Sequence, residues 1–244
     1  MKYSAKKESK EFDLYNKAVL EISEYTQESV EVVRQKHHMG PQTEPRYGLF
    51  EKQECLTTES VEQFYKDAKY YLYELPLWNA ERARPNYLIR ILKPYLRKYN
   101  CQKILDFGGG TGDLCLELAA QGYTVSYCDI GAEVSRFAKW RFDRRQLEIT
   151  MYDSITSLEN HQFDSIISFD CFEHIKDLRG LVEKLVRSIR SKGLLISADA
   201  FEGGGLHLLE NQKYHDIKVF DDLLKSLGLR FVGRMAQYVF YQKF

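Results

Sequence analysis

From Lys103 onward, short apolar runs alternate with segments of helix length, and this alternation most narrows the fold. KILDF (103–107), TVSYCDI (124–130), Leu147–Tyr152, SIISF (165–169) and GLLISADA (193–200) have the length and punctuation of buried strands. Helical stretches over Gly112–Ala120, Ala132–Phe142 and Leu178–Ser191 separate them. Strands that alternate with helices make a parallel sheet covered on both faces. The tail departs from the rhythm. A helix over Val219–Ser226 is followed by LRFVG (229–233) and YVFYQKF (238–244), only a few residues apart. Parallel neighbours need a crossover of about a dozen residues or more, so these two form an antiparallel hairpin. The expected class is α/β: a seven-stranded sheet, mostly parallel with an antiparallel last strand, helices on both faces, plus an N-terminal helical extension.

The extension is read from periodicity. Leu14, Ala18, Val19 and Ile22 form a stripe over Glu11–Tyr25, and Ser29–Lys36 continues it after a break. HHMGPQTEPRYGLF (37–50) reads as a loop, with His37 and His38 solvated. Thr57–Leu75 opens with a capping signal, carries Val61, Phe64, Ala68 and Tyr71 on one face, and is ended or kinked by Pro76. A further helix runs from Arg84 or Asn86 to Lys98. Residues 1–95 are therefore read as a helical extension and 96–244 as the α/β domain.

Bulk properties exclude some function classes. Lys+Arg and Asp+Glu are both 35, and this balance disfavours broad nucleic-acid binding, which runs on phosphate neutralisation. MKYSAKKESKEFDLY lacks the apolar core of a signal peptide, and no stretch approaches the ~20 apolar residues of a membrane span. The expectation is a soluble, cytoplasmic protein with no membrane or nucleic-acid partner; a homodimer is left open. The cysteines (55, 101, 115, 128, 171) are scattered, without C-x-x-C or zinc-like spacing, so buried thiols and no metal site are expected. His207 and His215, eight residues apart, are the weaker metal-ligand alternative.

The loop after the first strand, ILDFGGGTGD, is the expected place for a ligand. Its spacing fits neither G-x-x-x-x-G-K-[ST] nor G-x-G-x-x-G/A, because Asp113 falls where each pattern breaks. What stands there is D-x-G-x-G-x-G: Asp106, Gly108, Gly110 and Gly112. A carboxylate at Asp113 would repel a pyrophosphate, so the ligand carries little negative charge. Gly109 reads as conformational slack, and Asp164 as the organiser of a turn.

This segment resembles the first motif of the class I S-adenosylmethionine (SAM)-dependent methyltransferases, with their Rossmann-like fold. Asp129 ends the second strand, 23 residues after Asp106. Under the resemblance its carboxylate accepts both ribose hydroxyls of SAM, a match of two acceptor oxygens to a vicinal diol. Asp153 would accept from the adenine amino group, with Ser154 beside it. FDSIISFDCFEHIKD (163–177) resembles the fourth motif, and SKGLLIS (191–197) the loop and fifth strand, although Lys192-Gly193 stands for the usual double glycine. Ile130, Phe169 and Asp170 complete the expected cofactor contacts. The resemblance covers about Lys103 to Phe244.

It implies a SAM-dependent methyltransferase that works by in-line displacement, with positioning as the main contribution. His174 is the catalytic candidate, because imidazole titrates near neutrality; a plain wall-supporting role is the alternative. Tyr71 and Trp78, in the aromatic-rich KYYLYELPLWN (69–79), and His207, Asn211 and Tyr214, in DAFEGGGLHLLENQKYHD (199–216), are candidate acceptor contacts. The extension would then be a lid over a small-molecule site. The alternatives are a protein or RNA acceptor, or a non-catalytic SAM-binding module. Against nucleic acid, the fourth motif reads FDCF instead of N/D-P-P-Y/F.

Overall fold

The structure, a computed structural model, describes residues 2–40, 58–158, 162–202 and 206–244. Most of the loop read at 37–50, the cap residue Thr57, Cys55 and Gly203–Gly205 lie outside the described residues.

Among the described residues five helices precede the sheet: α1 (Lys2–Thr26), α2 (Val30–Met39), α3 (Thr58–Asp67), α4 (Tyr71–Glu81) and α5 (Arg84–Lys98). The α/β part runs β1 (Lys103–Phe107), α6 (Asp113–Ala120), β2 (Thr124–Cys128), α7 (Ala132–Arg144), β3 (Thr150–Tyr152), β4 (Phe163–Phe169), α8 (Leu178–Ser188) and β5 (Ile189–Ala198). It closes with α9 (Ile217–Ser226), β6 (Leu229–Met235) and β7 (Tyr238–Lys243).

The strand order is β3-β2-β1-β4-β5-β7-β6. β1 pairs in parallel with β2 and with β4, while β7 is antiparallel to both β5 and β6. The fold is thus the seven-stranded, mostly parallel sheet that the alternation implied. β1 is the switch point: the chain winds outward to β3 on one side, then returns to place β4 on the other. Such a point opens a crevice at the carboxyl ends of the strands.

Alternation along the strands divides the core. Ile104, Val125, Ile167, Ile196 and Phe240 face α5, α6 and α7, whereas Leu105, Ile166, Leu195 and Tyr241 face α8 and α9. α5 packs its Leu88, Leu92 and Leu96 into the first of these layers, so it shares the core of the sheet. A third cluster joins Val19, Ile22, Val33, Leu72 and Leu77 of the earlier helices to Phe137 of α7.

Several boundaries differ from the sequence reading. The expected helix over 57–75 is two helices, broken at Ala68–Tyr70, with Pro76 inside the second. The break turns Ala68 and Tyr70 inward against Leu206 and Leu208, and this burial sets the breakpoint in place of the proline. The run at 147–152 is strand only from Thr150, and β5 reaches back to Ile189, which pairs with Phe163 of β4 ahead of an irregularity where Lys192 takes positive φ. His37 ends α2 with its Nε2 3.6 Å from a Glu81 oxygen, not free in a loop.

Candidate active site

The glycine loop runs from the end of β1 into α6. Gly108, Gly110 and Gly112 all have positive φ, where a side chain is strained, and so the odd positions of the motif need glycine. Gly109 is not slack: a Cβ there would stand 2.7 Å from the Tyr127 ring. Gly108 N–H and Gly109 N–H both donate to the Cys128 carbonyl, which ties the loop to β2.

Asp106 lies under this loop, 5% exposed, accepting from the Cys115 thiol at 3.2 Å. Burial pushes its carboxyl up to about 7. Asp129 stands at the end of β2. Its Oδ2 accepts from Gly110 N–H at 2.8 Å and its Oδ1 from Gly131 N–H at 2.7 Å. Each oxygen keeps acceptor capacity after one such bond, so the carboxylate is oriented and can still take a diol. Burial raises its pKa, against the lowering effect of these N–H groups. Ile130, beside it, is exposed. Asp153 is exposed past β3 and accepts from Ser157 Oγ at 2.8 Å, which lowers its pKa; the Ser154 hydroxyl lies 2.8 Å from the same Ser157 oxygen.

These residues fit SAM. A bare backbone bend, an oriented diol acceptor and a further carboxylate follow one another along the strand ends.

The N-terminal helices lie directly on it. A Cβ on Gly110 would meet Leu75 Cδ1 of α4 at 2.9 Å, and one on Gly131 would stand 3.3 Å from the Tyr65 carbonyl of α3. Buried Arg141 of α7 joins the layers. It donates to the Thr111 carbonyl at 2.7 Å, to Asp113 at 3.0 Å and to Glu21 of α1 at 3.1 Å. Asp113 is held below the usual carboxylate range, its burial outweighed by Arg141.

At the end of β4, Phe169 packs edge-on against Tyr238, and Asp170, at positive φ, pairs with Arg84 at 2.5 Å. A 3₁₀ turn over Phe172–His174 follows. Asp199, after β5, holds that turn by accepting from the Cys171 and Phe172 N–H groups. Burial and the Glu173 charge push the Asp199 carboxyl up. The Tyr65 hydroxyl lies 3.1 Å from His174 Nε2, and the ring of Tyr65 stacks on Tyr71. Burial lowers the His174 pKa.

The candidates for acceptor contact therefore separate. Tyr71 and Trp78 lie on the covering helix, Trp78 under the Arg82 and Arg84 guanidinium groups. His207 packs against His174, with ring centroids 5.1 Å apart. Asn211 and Tyr214 do not belong with them. Asn211 is 2% exposed and gives its amide to the Phe172, Glu173 and Ile175 carbonyls, so it braces the 3₁₀ turn. Tyr214 packs among Phe201 and Phe220 in the second core layer. Sequence reading missed Tyr65, Arg84, Arg141 and Asp199. The aromatic density near Tyr65 was visible, but these contacts join residues 27 to 120 positions apart, and no local pattern encodes them.

Comparison with known proteins agrees with this geometry. Residues 62–227 match the family described as a methyltransferase domain. A ubiquinone biosynthesis O-methyltransferase of Rickettsia bellii is 27% identical over 115 residues, 46% of this chain and 48% of that protein. A malonyl-[acyl-carrier protein] O-methyltransferase of Acetivibrio thermocellus is 34% identical over 94 residues, 38% of this chain and 33% of that protein. The matches thus span about half or less of these curated relatives. In fold, the chain is similar to the SAM-bound magnesium protoporphyrin IX methyltransferase of Synechocystis, with a TM-score of 0.56, 12% identity, and 78% of this chain and 99% of that one covered. With the glycine bend and Asp129 in place and the match covering most of its length, the chain belongs to the methyltransferase domain family, among the SAM-dependent class I methyltransferases.

Proposed function

We propose that this chain methylates a small-molecule acceptor in a site closed by its own N-terminal helices. The observation that supports this most is the seating of α3 and α4 directly on the strand ends, with Leu75 against Gly110 and Tyr65 against both Gly131 and His174. A cover this close favours a compact, dry acceptor site over an open groove for a polymer. The curated relatives named above include enzymes of ubiquinone and malonyl-carrier O-methylation, which is in keeping with such an acceptor.

When bound, SAM supplies an electrophilic methyl group on a sulfonium. The chain's residues do the rest. Asp129 holds the ribose diol, Asp153 and Ser154 stand toward the base, and the glycine bend admits the ligand without side-chain obstruction. Phe169 and Asp170 border the reacting end. Tyr71 and Trp78 exclude water and orient the acceptor, and orientation alone can be worth several kcal/mol. Because Leu75 and Tyr65 lie against the bend, the cover moves when the cofactor enters.

The test is turnover of the full chain with SAM and, separately, a low-mass metabolite filtrate, a protein fraction and an RNA fraction, read as demethylated cofactor formed. Product is expected with the low-mass filtrate. Turnover that follows the protein or RNA fraction would overturn the reading. No described helix is long and apolar enough to cross a membrane.

A further inference from the structure

Glu173, His174 and His207 converge beside the end of β4. Each offers one ligand atom, and these atoms all lie within 4.8 Å of one another. Two ligands on one tetrahedral zinc-like ion, with bonds of about 2.0–2.2 Å, stand ~3.3–3.6 Å apart. The widest pair of the cluster therefore needs to close by up to about 1.4 Å, a shift within the reach of side-chain rotation, to hold an ion.

Three further observations point to a cation. His174 Nδ1 lies 3.1 Å from the Leu206 carbonyl, and His207 Nδ1 lies 2.8 Å from the Glu202 carbonyl. A carbonyl only accepts, so both Nδ1 atoms carry the proton and both Nε2 atoms carry a lone pair; that of His174 accepts from the Tyr65 hydroxyl at 3.1 Å, which an ion would displace. Backbone bonds of this kind fix a metal-binding imidazole in its ligating tautomer. Next, Glu173 is 1% exposed; its Oε1 accepts from Ala200 N–H at 3.1 Å, but its Oε2 is buried without a partner. Finally, Asp199 Oδ2, close by, is likewise buried and unpartnered. Among the described residues no Lys or Arg pairs with either carboxylate. Glu173 left this way as a buried anion is costly, and a metal ion would offset that cost.

We propose that Glu173, His174 and His207 bind a divalent transition-metal ion of the zinc class. Two imidazoles and a carboxylate suit Zn²⁺, Fe²⁺ or Co²⁺ better than Mg²⁺ or Ca²⁺. Three protein ligands leave a position open for an oxygen of the acceptor. The ion would polarise that oxygen, which makes His174 a ligand in place of a proton acceptor; this role, unlike the binding itself, rests on the methyltransferase reading. The set departs from the sequence expectation of no metal site, and it pairs His207 with Glu173 and His174 instead of with His215.

Chelator-treated, untagged full chain is titrated with Co²⁺ alone, read by visible absorption and by calorimetry, with binding of the demethylated cofactor measured on the same samples. One Co²⁺ per chain is expected, with bands of a low-symmetry site. His207→Ala and His174→Ala should each weaken it by at least the roughly 10–100-fold that loss of a supporting contact costs a metal site. A His207→Ala protein that still binds the demethylated cofactor is folded, so its loss of Co²⁺ reports the ligand. Absence of saturable Co²⁺ binding in the wild type, or binding that both variants leave unchanged, overturns the site. Wild type that binds the cofactor product but not Co²⁺ overturns the metal site and leaves the methyltransferase reading standing. Failure to bind the cofactor product overturns that reading whatever Co²⁺ does.

Discussion

Asp129 and Tyr65 meet at Gly131, yet they reach it from regions held together by different means. Asp129 ends a strand whose neighbour β1 is paired on both sides from Ile104 to Phe107, and its two oxygens are fixed by backbone N–H groups. Tyr65 arrives on a short helix anchored by ring packing on Phe64, Tyr71 and His174. Backbone ladders set positions to a fraction of an ångström and resist side-chain change. A helix resting on aromatic faces can slide or tilt without breaking a hydrogen-bond ladder. The strand ends therefore form the fixed half of the site and the helices α1–α4 the adjustable half, and Arg141 couples the two through Glu21 of α1.

The coupling is the first thing to break. Arg141→Ala leaves Asp113 a buried carboxylate without its cation and Glu21 with Arg145 alone, and it should cost about 3–5 kcal/mol of unfolding free energy in urea melts. A loss below about 1 kcal/mol, the scale of an exposed pair, would show that cover and sheet are energetically independent.

Next comes the fixed half under titration. The Asp106 carboxyl, normally near 3.8, is raised to about 7 in the fold. Between these values the folded chain keeps a proton that the unfolded chain has released. Stability is then full below pH ~4, declines as pH rises, and levels off above about 7. Asp106→Asn should remove on the order of 4 kcal/mol of this decline, seen as a flatter difference curve of unfolding free energy against pH. Equal slopes in the two proteins would mean that Asp106 ionises freely.

A smaller effect belongs to ligand binding. Asp129→Ala should weaken calorimetric binding of the demethylated cofactor by about 1–3 kcal/mol, the cost of a lost buried charged acceptor. Unchanged affinity would place the ribose elsewhere. Smallest is the cap in the adjustable half: Ser29 Oγ accepts from Val32 N–H, and Ser29→Ala should cost about 1 kcal/mol. A protein in which this change alters cofactor affinity as much as Asp129→Ala would erase the distinction between the halves.

The same contrast explains what the sequence made legible. The strands, the closing hairpin and the glycine bend follow from local signals: run length, alternation, turn spacing and positions that only glycine tolerates. Asp129 was legible because it sits at a fixed place at a strand end. The helix break at Ala68–Tyr70 was not, because Leu206 and Leu208 cause it from far along the chain. Asn211 and Tyr214 read as acceptor contacts in a polar segment, but the 3₁₀ turn and the ring cluster draw them inward. The convergence of Glu173 with His207 had no signal at all, since the two lie 34 positions apart and meet through the β4–β5 pairing and the Leu208 N–H bond to the Glu173 carbonyl.

The central claim is best tested by the crystal structure of the full chain with the demethylated cofactor. The ribose hydroxyls are expected on the two Asp129 oxygens and the amino-acid end over Gly108–Gly112, with Leu75 and Tyr65 drawn away from Gly110 and Gly131. A cofactor bound away from Asp129, or α3–α4 unmoved with the ligand on another face, would contradict it.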